Sequence, residues 1–216
     1  VRAAGFEVKR AREAIRARGG AARSNVFTRA LLALYGIGGC ASGAIVAVFN
    51  TLGFRLTAPP FRLGLGAASL LFLVYPVGSL ASVVFGRLAD TRGRRAVLPL
   101  GCLLAVLGVM VTLAPSLPVV VTGLALLTAG FFAVHGVASG WVPARAHAGG
   151  VATGAAASLY LFSYYLGSSV FGGLAGPAWA AYGWPGVVVL ATLLLAATGT
   201  LALLLRRTPT LLVGAR

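Results

Sequence analysis

Side chains able to carry a proton or a charge are rare within the long apolar stretches of this 216-residue sequence, and His135 stands out among them. It sits in AGFFAVHGVASGW, residues 129–141. At 100° per residue, Thr128, Phe131, Phe132 and Ser139 share its helical face. A free imidazole titrates near pH ~6.5, so it can take up and release protons around neutrality. Placing such a group in an apolar segment is costly, which makes it a functional candidate. The plain alternative is a neutral histidine that locks two helices through a hydroxyl. A second candidate is the stretch SLYLFSYYLGSS, residues 158–169. Tyr160, Ser163, Tyr164 and Gly167 fall on one face there. Either Tyr160 or Tyr164 lines an aqueous path or pairs with His135, or the rings simply pack with their hydroxyls satisfied between helices.

The third candidate is the charged string GRLADTRGRR, residues 86–95. Its one acid, Asp90, lies among Arg87, Arg92, Arg94 and Arg95. A carboxylate in that position can accept hydrogen bonds from a helix N-terminus, while the arginines pair with acids or lipid phosphates. Gly86 is expected to permit a close helix approach and Gly93 a tight turn.

Other chemistry is excluded early. Cys40 and Cys102 both lie in apolar segments without a histidine or carboxylate beside them, so they read as small fillers, and no metal or cofactor is expected. A membrane-embedded Ser/His hydrolase needs nucleophile and base within hydrogen-bond reach. The nearest serine to His135, Ser139, is on the same helix, so the chain is not read as an enzyme.

The elements that must hold these groups follow from composition. Only 10% of residues are charged and 59% are apolar, against about 25% charged in an ordinary soluble domain. With mean hydropathy +0.95, a soluble enzyme or binding domain is excluded. Six segments reach the roughly 20 apolar residues that a membrane-spanning helix needs. They are 30–50, 64–85, 96–115, 118–142, 152–180 and 184–205, and none contains Asp, Glu, Lys or Arg. The expected domains are therefore a basic linker over 1–29, a six-helix membrane unit over 30–207 and a tail over 208–216. By the 1.5 Å rise, His135 sits about 10 Å inside its helix end.

Charge sets the expected orientation. Six crossings put both termini on one side, with the loops around Arg87–Arg95 and Pro143–Val151. That side holds sixteen of the eighteen basic residues, leaving only Arg55 and Arg62 opposite. The positive-inside rule assigns it to the cytoplasm. The net charge of +15 does not indicate a nucleic-acid partner, because no polar basic domain remains outside the apolar runs. The opening stretch, with Phe6 and Ile15 on one side, reads equally as a short helix lying on anionic headgroups or as a solvated linker. Starting at Val1, the sequence also reads as a piece of a longer protein.

Small residues suggest where the helices touch. Gly36, Cys40, Gly43 and Ala47 form one stripe, and Tyr35, Gly39 and Ser42 another. Ala129, Gly136 and Gly140 form a third; Ser158, Ser169, Gly172 and Gly176 form a fourth. Stripes of this kind let backbones approach in lipid.

The 86–95 string resembles the signature of the major facilitator superfamily, G-x-x-x-D-[RK]-x-G-[RK]-[RK]. It matches at Gly86, Asp90, Gly93, Arg94 and Arg95 and departs at Thr91, where the family has a basic residue. VFNTLGFRL (48–56), AGFFAVHGVASGWVPAR (129–145) and ASLYLFSYYLGSS (157–169) resemble the C-terminal half of YnfM-type, arabinose-efflux-like bacterial exporters of that superfamily. The similarity covers roughly Ala30–Arg207. It implies an all-α membrane protein: six transmembrane helices, arranged as two inverted three-helix repeats, making one half of a twelve-helix fold. Also implied are an N-terminal six-helix half as partner, a small organic substrate, and proton-coupled efflux across a bacterial inner membrane by alternating access. On this reading the first and fourth helices line the substrate cavity, which brings in Tyr35 and Ser42 beside His135 and Ser139, while Asp90 clasps the other half. With no acid inside the spans, His135 is the conventional proton carrier available. A self-sufficient six-helix carrier acting as a homodimer is the alternative.

Overall fold

The computed structural model describes residues 2–208, the side chains of residues 2–27, 65 and 72 excepted. The expectations for Phe6 and Ile15, and for the tail from 209 onward, lie outside the described residues. Within them the chain is helical and contains no strand. Helix α1 runs Arg2–Thr57 and its Thr28–Thr57 portion is long and apolar enough to cross a membrane. The same holds for α4 (Arg94–Val111), α5 (Leu117–Ala148) and α6 (Thr153–Leu205), giving four such helices among the described residues.

Three of the six expected segments take a different form. The 64–85 segment is broken into α2 (Leu65–Ser69), a 3-10 stretch η1 (Leu70–Val74) and α3 (Tyr75–Arg92). Pro76 occupies the first turn of α3. Without an N–H it cannot continue the ladder from the preceding turn, which tightens instead. Helix α3 also carries Arg87, Asp90 and Arg92, so it is less apolar than the other four.

Segments 152–180 and 184–205 are the two arms of α6, which bends where Gly183 adopts φ 64, ψ −152. Only glycine takes that conformation without strain. A Cβ on Gly39 would meet Ser163, and Phe54 of α1 faces Trp179, so the first arm runs alongside α1 in the same direction. Gly36 is met instead by Leu201. The second arm therefore folds back.

The charged strings also differ from the loops expected of them. Helix α3 continues through Arg92 and α4 starts at Arg94, leaving Gly93 (φ 86) as the whole connection. Pro143 and Arg145 are helical, because α5 runs on to Ala148. Polar residues beyond an apolar span can extend a helix, since its backbone stays satisfied either way.

Glycine decides where helices meet. A Cβ on Gly167 would overlap the backbone of Gly39, binding α6 to α1; Gly108 with Gly123, and Gly130 with Gly101, do the same for α4 and α5. Gly43 meets Phe171 and Gly172 meets Val46. By contrast a Cβ on Gly140 or Gly176 would meet nothing within 4 Å, while one on Gly136 would meet the Ser82 hydroxyl of α3. Of the stripes expected on the fourth and fifth segments, Gly136 and Gly172 are in close contact and Gly140 and Gly176 are not, while Gly123, Gly130 and Gly167 add the tightest approaches. Spacing alone selects a face, while the neighbour selects which glycine on it is needed.

The two ends of the bundle are chemically distinct. At one, Trp184 Nε1 donates to the Thr112 carbonyl and hydroxyl oxygens at 3.1 Å each, and Arg55 donates to the Ala114 carbonyl at 3.3 Å. At the other lie the arginines of the 86–95 string, Arg145, Arg206 and Arg207.

Candidate functional site

A seam of aromatic rings crosses the bundle and His135 lies within it. Helix α5 presents Phe131, Phe132 and His135 on consecutive turns, and the first arm of α6 presents Tyr160 and Tyr164 four residues apart. Because α5 and α6 are packed together, the rings meet. His135 stacks on Phe131 with centroids 5.7 Å apart and planes 9° from parallel. Its centroid lies 5.0 Å from that of Tyr164 and 5.8 Å from that of Tyr160. The Tyr160 hydroxyl and His135 Nδ1 are 3.1 Å apart.

The seam continues beyond these residues. Phe131 contacts Phe132 edge-on, Phe132 contacts Tyr75 of α3, and Tyr75 packs on Phe49 of α1 at 4.9 Å. Four helices thus contribute to one row. Tyr160 is fully buried while His135 and Tyr164 are half-buried, so the row has a closed side and an open one. Such a surface can take a proton at His135 and offer aromatic faces to an apolar or cationic solute.

The other expected path residues separate. Ser42 is wholly buried, and its hydroxyl lies 2.6 Å from the Tyr164 carbonyl and 3.0 Å from the Gly39 carbonyl. It supports Tyr164 from behind rather than facing a cavity. The Ser139 hydroxyl donates to the Gly136 carbonyl at 3.2 Å. Tyr35 lines a separate groove of about 300 Å³ with Gly39, Cys40, Ser163 and Phe171. No ring contact joins it to His135 among the described residues.

The charged string forms the arginine end of the bundle. Asp90 is exposed and makes no ion pair among the described residues, while nothing approaches a Cβ built on Gly86. The close approach expected at Gly86 is therefore not made by any described part of this chain. Thr91, at the departure from the signature, bonds back to the Arg87 and Leu88 carbonyls at 3.2 Å, as an ordinary helical threonine does. Arg94 reaches across to the Gly140 carbonyl of α5 at 3.1 Å. Asp90, Arg92, Arg94, Arg95, Arg145 and Arg206 together line an open cavity of about 650 Å³.

Two contributors were not legible as such. Tyr75 lies in a run of apolar residues, and only the packing of α3 along α5 reveals its place in the row. Arg145 counts as loop charge in the sequence, yet its side chain is completely buried. It lies over the Trp141 ring at 5.0 Å and donates to the Thr208 hydroxyl at 2.8 Å. The signal available was the Trp141–Arg145 spacing of one helical turn.

Comparison of the sequence with known proteins finds transporters among its relatives. "Uncharacterized MFS-type transporter YybF" of Bacillus subtilis is 40% identical over 167 residues, 77% of this chain and 41% of that protein. "Inner membrane transport protein YnfM" of Escherichia coli is 38% identical over 167 residues, 77% of this chain and 39% of that protein. The chain is a relative of the MFS-type (major facilitator) transporters. An "Uncharacterized transporter" of Buchnera aphidicola (subsp. Baizongia pistaciae) is 35% identical over 156 residues, 72% of this chain. The chain spans about two fifths of the length of these curated relatives. Together with its apolar helices, the kinship to MFS-type transporters makes it a multi-pass membrane protein. A family model for the squalene-hopene cyclase N-terminal domain matches residues 3–41, well under half the chain, and assigns nothing to the bundle.

Proposed function

We propose that this chain is the C-terminal half of a major facilitator transporter that exports a small organic solute in exchange for protons. The observation that carries the reading is its similarity to named MFS-type transporters over three quarters of its own length and two fifths of theirs. Six crossings are assigned to α1, the α2–η1–α3 segment, α4, α5 and the two arms of α6, grouped as two inverted three-helix repeats. Residues 30–207 form this unit, 1–29, helical from Arg2 onward, the end of the central connection between the halves, and 208–216 a tail.

The arginine end faces the cytoplasm, with both ends of the chain on that side of a bacterial inner membrane. The open side of the aromatic row faces the solute path, with His135 carrying the proton and Tyr160 and Tyr164 beside it. Ser139 lies one turn away, Tyr35 borders a neighbouring groove, and Ser42 acts through Tyr164. Asp90, with Gly86, Gly93, Arg94 and Arg95, clasps the N-terminal half when the cytoplasmic side is closed. Transport is then a rocking of the two halves about the site between them.

The test is proton counting in proteoliposomes containing the full-length transporter. Small organic solutes are added one class at a time while a trapped pH-sensitive dye is read. Proton movement that depends on a solute and vanishes in the absence of a gradient supports the reading. Solute movement by residues 30–207 alone would refute the half-transporter assignment.

A further inference from the structure

A second groove lies away from the aromatic row, between α1 and the second arm of α6, at the arginine end. It encloses about 780 Å³ and is walled by Leu32, Ala33, Leu201 and Leu204, with Arg29 and Arg207 at its mouth. Its depth is set by the close approach of Gly36 and Leu201, where a Cβ would come within 2.8 Å of the leucine methyl. Leu32 and Leu204 are 60% and 51% exposed, so the groove opens toward the surroundings of the bundle.

No acid among the described side chains balances the charge at the mouth. The sequence holds only three acids against eighteen basic residues, and Asp90, the one acid whose side chain is described, lines the other cavity. Arg206 also faces that other cavity, whereas its neighbour Arg207 lines this one. Helix α1 and the turn that ends α6, remote in sequence, thus bring one arginine each to the same apolar slot. An apolar slot with a paired cationic mouth at a helix end matches one kind of molecule. We propose that this groove is a binding site for an anionic phospholipid, one acyl chain between α1 and α6 and its phosphate on Arg29 and Arg207. The inference needs only the bundle's place in a membrane and stands whether or not the chain transports anything.

Selectivity must come from the mouth. An acyl chain entering the groove leaves one apolar medium for another, so its burial discriminates little. An arginine near an anionic lipid surface contributes ~1 kcal/mol, and two give about thirtyfold.

The test uses the purified full-length protein in nanodiscs of mixed phosphatidylcholine and phosphatidylglycerol, with bound lipid read by native mass spectrometry and by spin-labelled phosphatidylglycerol. The wild type is expected to retain phosphatidylglycerol in preference to phosphatidylcholine. Arg29→Gln with Arg207→Gln is expected to lower that preference about thirtyfold, while Arg62→Gln at the opposite end leaves it unchanged. Ala33→Trp, which fills the slot, is expected to abolish retention with both arginines still present. Equal retention by the double variant would overturn the proposal. So would displacement of the lipid by inorganic phosphate, which would make the mouth a simple anion site, or normal retention in Ala33→Trp.

Discussion

The Tyr160 hydroxyl oxygen lies 3.1 Å from Nδ1 of His135, joining the first arm of α6 to the middle of α5. This contact suits either charge state of the imidazole. Neutral and protonated at Nε2, the ring accepts the phenol hydrogen; as imidazolium, it donates from Nδ1 to the same oxygen. A proton can therefore arrive or leave without breaking the link between the helices.

That contact predicts a separation of two effects. Tyr160→Phe keeps the buried ring and removes the hydrogen bond, so thermal stability should fall modestly, by ~0.6–1.7 kcal/mol as for interhelical bonds in lipid. Its pH profile of transport should shift. His135→Ala should flatten the profile across the range where histidine titrates. An unchanged profile in both variants would confine the pair to packing.

Asp90 gives a prediction about state rather than stability. The side chain is exposed and makes no ion pair among the described residues, so Asp90→Asn should insert and melt like wild type. Solute flux in the full-length protein should nevertheless drop sharply. Wild-type flux in this variant would remove Asp90 from the clasp.

Helix contact makes a sharper contrast. At Gly167 any Cβ overlaps the backbone of Gly39, whereas at Gly173 there is nothing within 4 Å. Gly167→Ala should destabilise by roughly 1–3 kcal/mol, the usual cost of forced overpacking. Gly173→Ala should be neutral or slightly stabilising, since alanine favours the helix. Melting curves in detergent distinguish the two, and equal curves would contradict the α1–α6 packing.

The reversal at Gly183 is equally exposed to experiment. Its φ of 64 with ψ of −152 belongs to a region that only glycine enters freely. Gly183→Ala should cost ~1–3 kcal/mol. Reduced yield and an earlier melt are the expected outcome, and an unaltered melt would argue against the sharp turn.

Ser42→Ala tests the position of a residue that the sequence alone suggests for the solute path. Both of its hydroxyl contacts are to backbone carbonyls. Transport specificity should be unchanged while stability falls slightly, and a changed solute preference would return Ser42 to the path.

Much of this arrangement can be read from residues alone, and the limits have physical causes. Apolar length identifies α1, α4 and α5 because hydropathy depends on nothing outside the segment. The break before Pro76 is legible in principle, since proline acts locally. The extension of α3 and α5 through arginines is not, because a charged residue beyond the apolar core is compatible with either helix or loop. His135 and the tyrosines are conspicuous by type, yet Tyr75 and Arg145 acquire their roles only from neighbours on other helices. Ser42 shows the converse: spacing identifies its helical face, but not that α6 covers it.

Trp184 grips Thr112 and Arg55 reaches Ala114, so the end remote from the arginine cluster is stitched across three helices. Side-chain ties of this kind resist fraying at the tips. On the proposed transport cycle, opening on that side is carried by tilting the whole bundle as a block, with the flex displaced to wherever the block meets its surroundings.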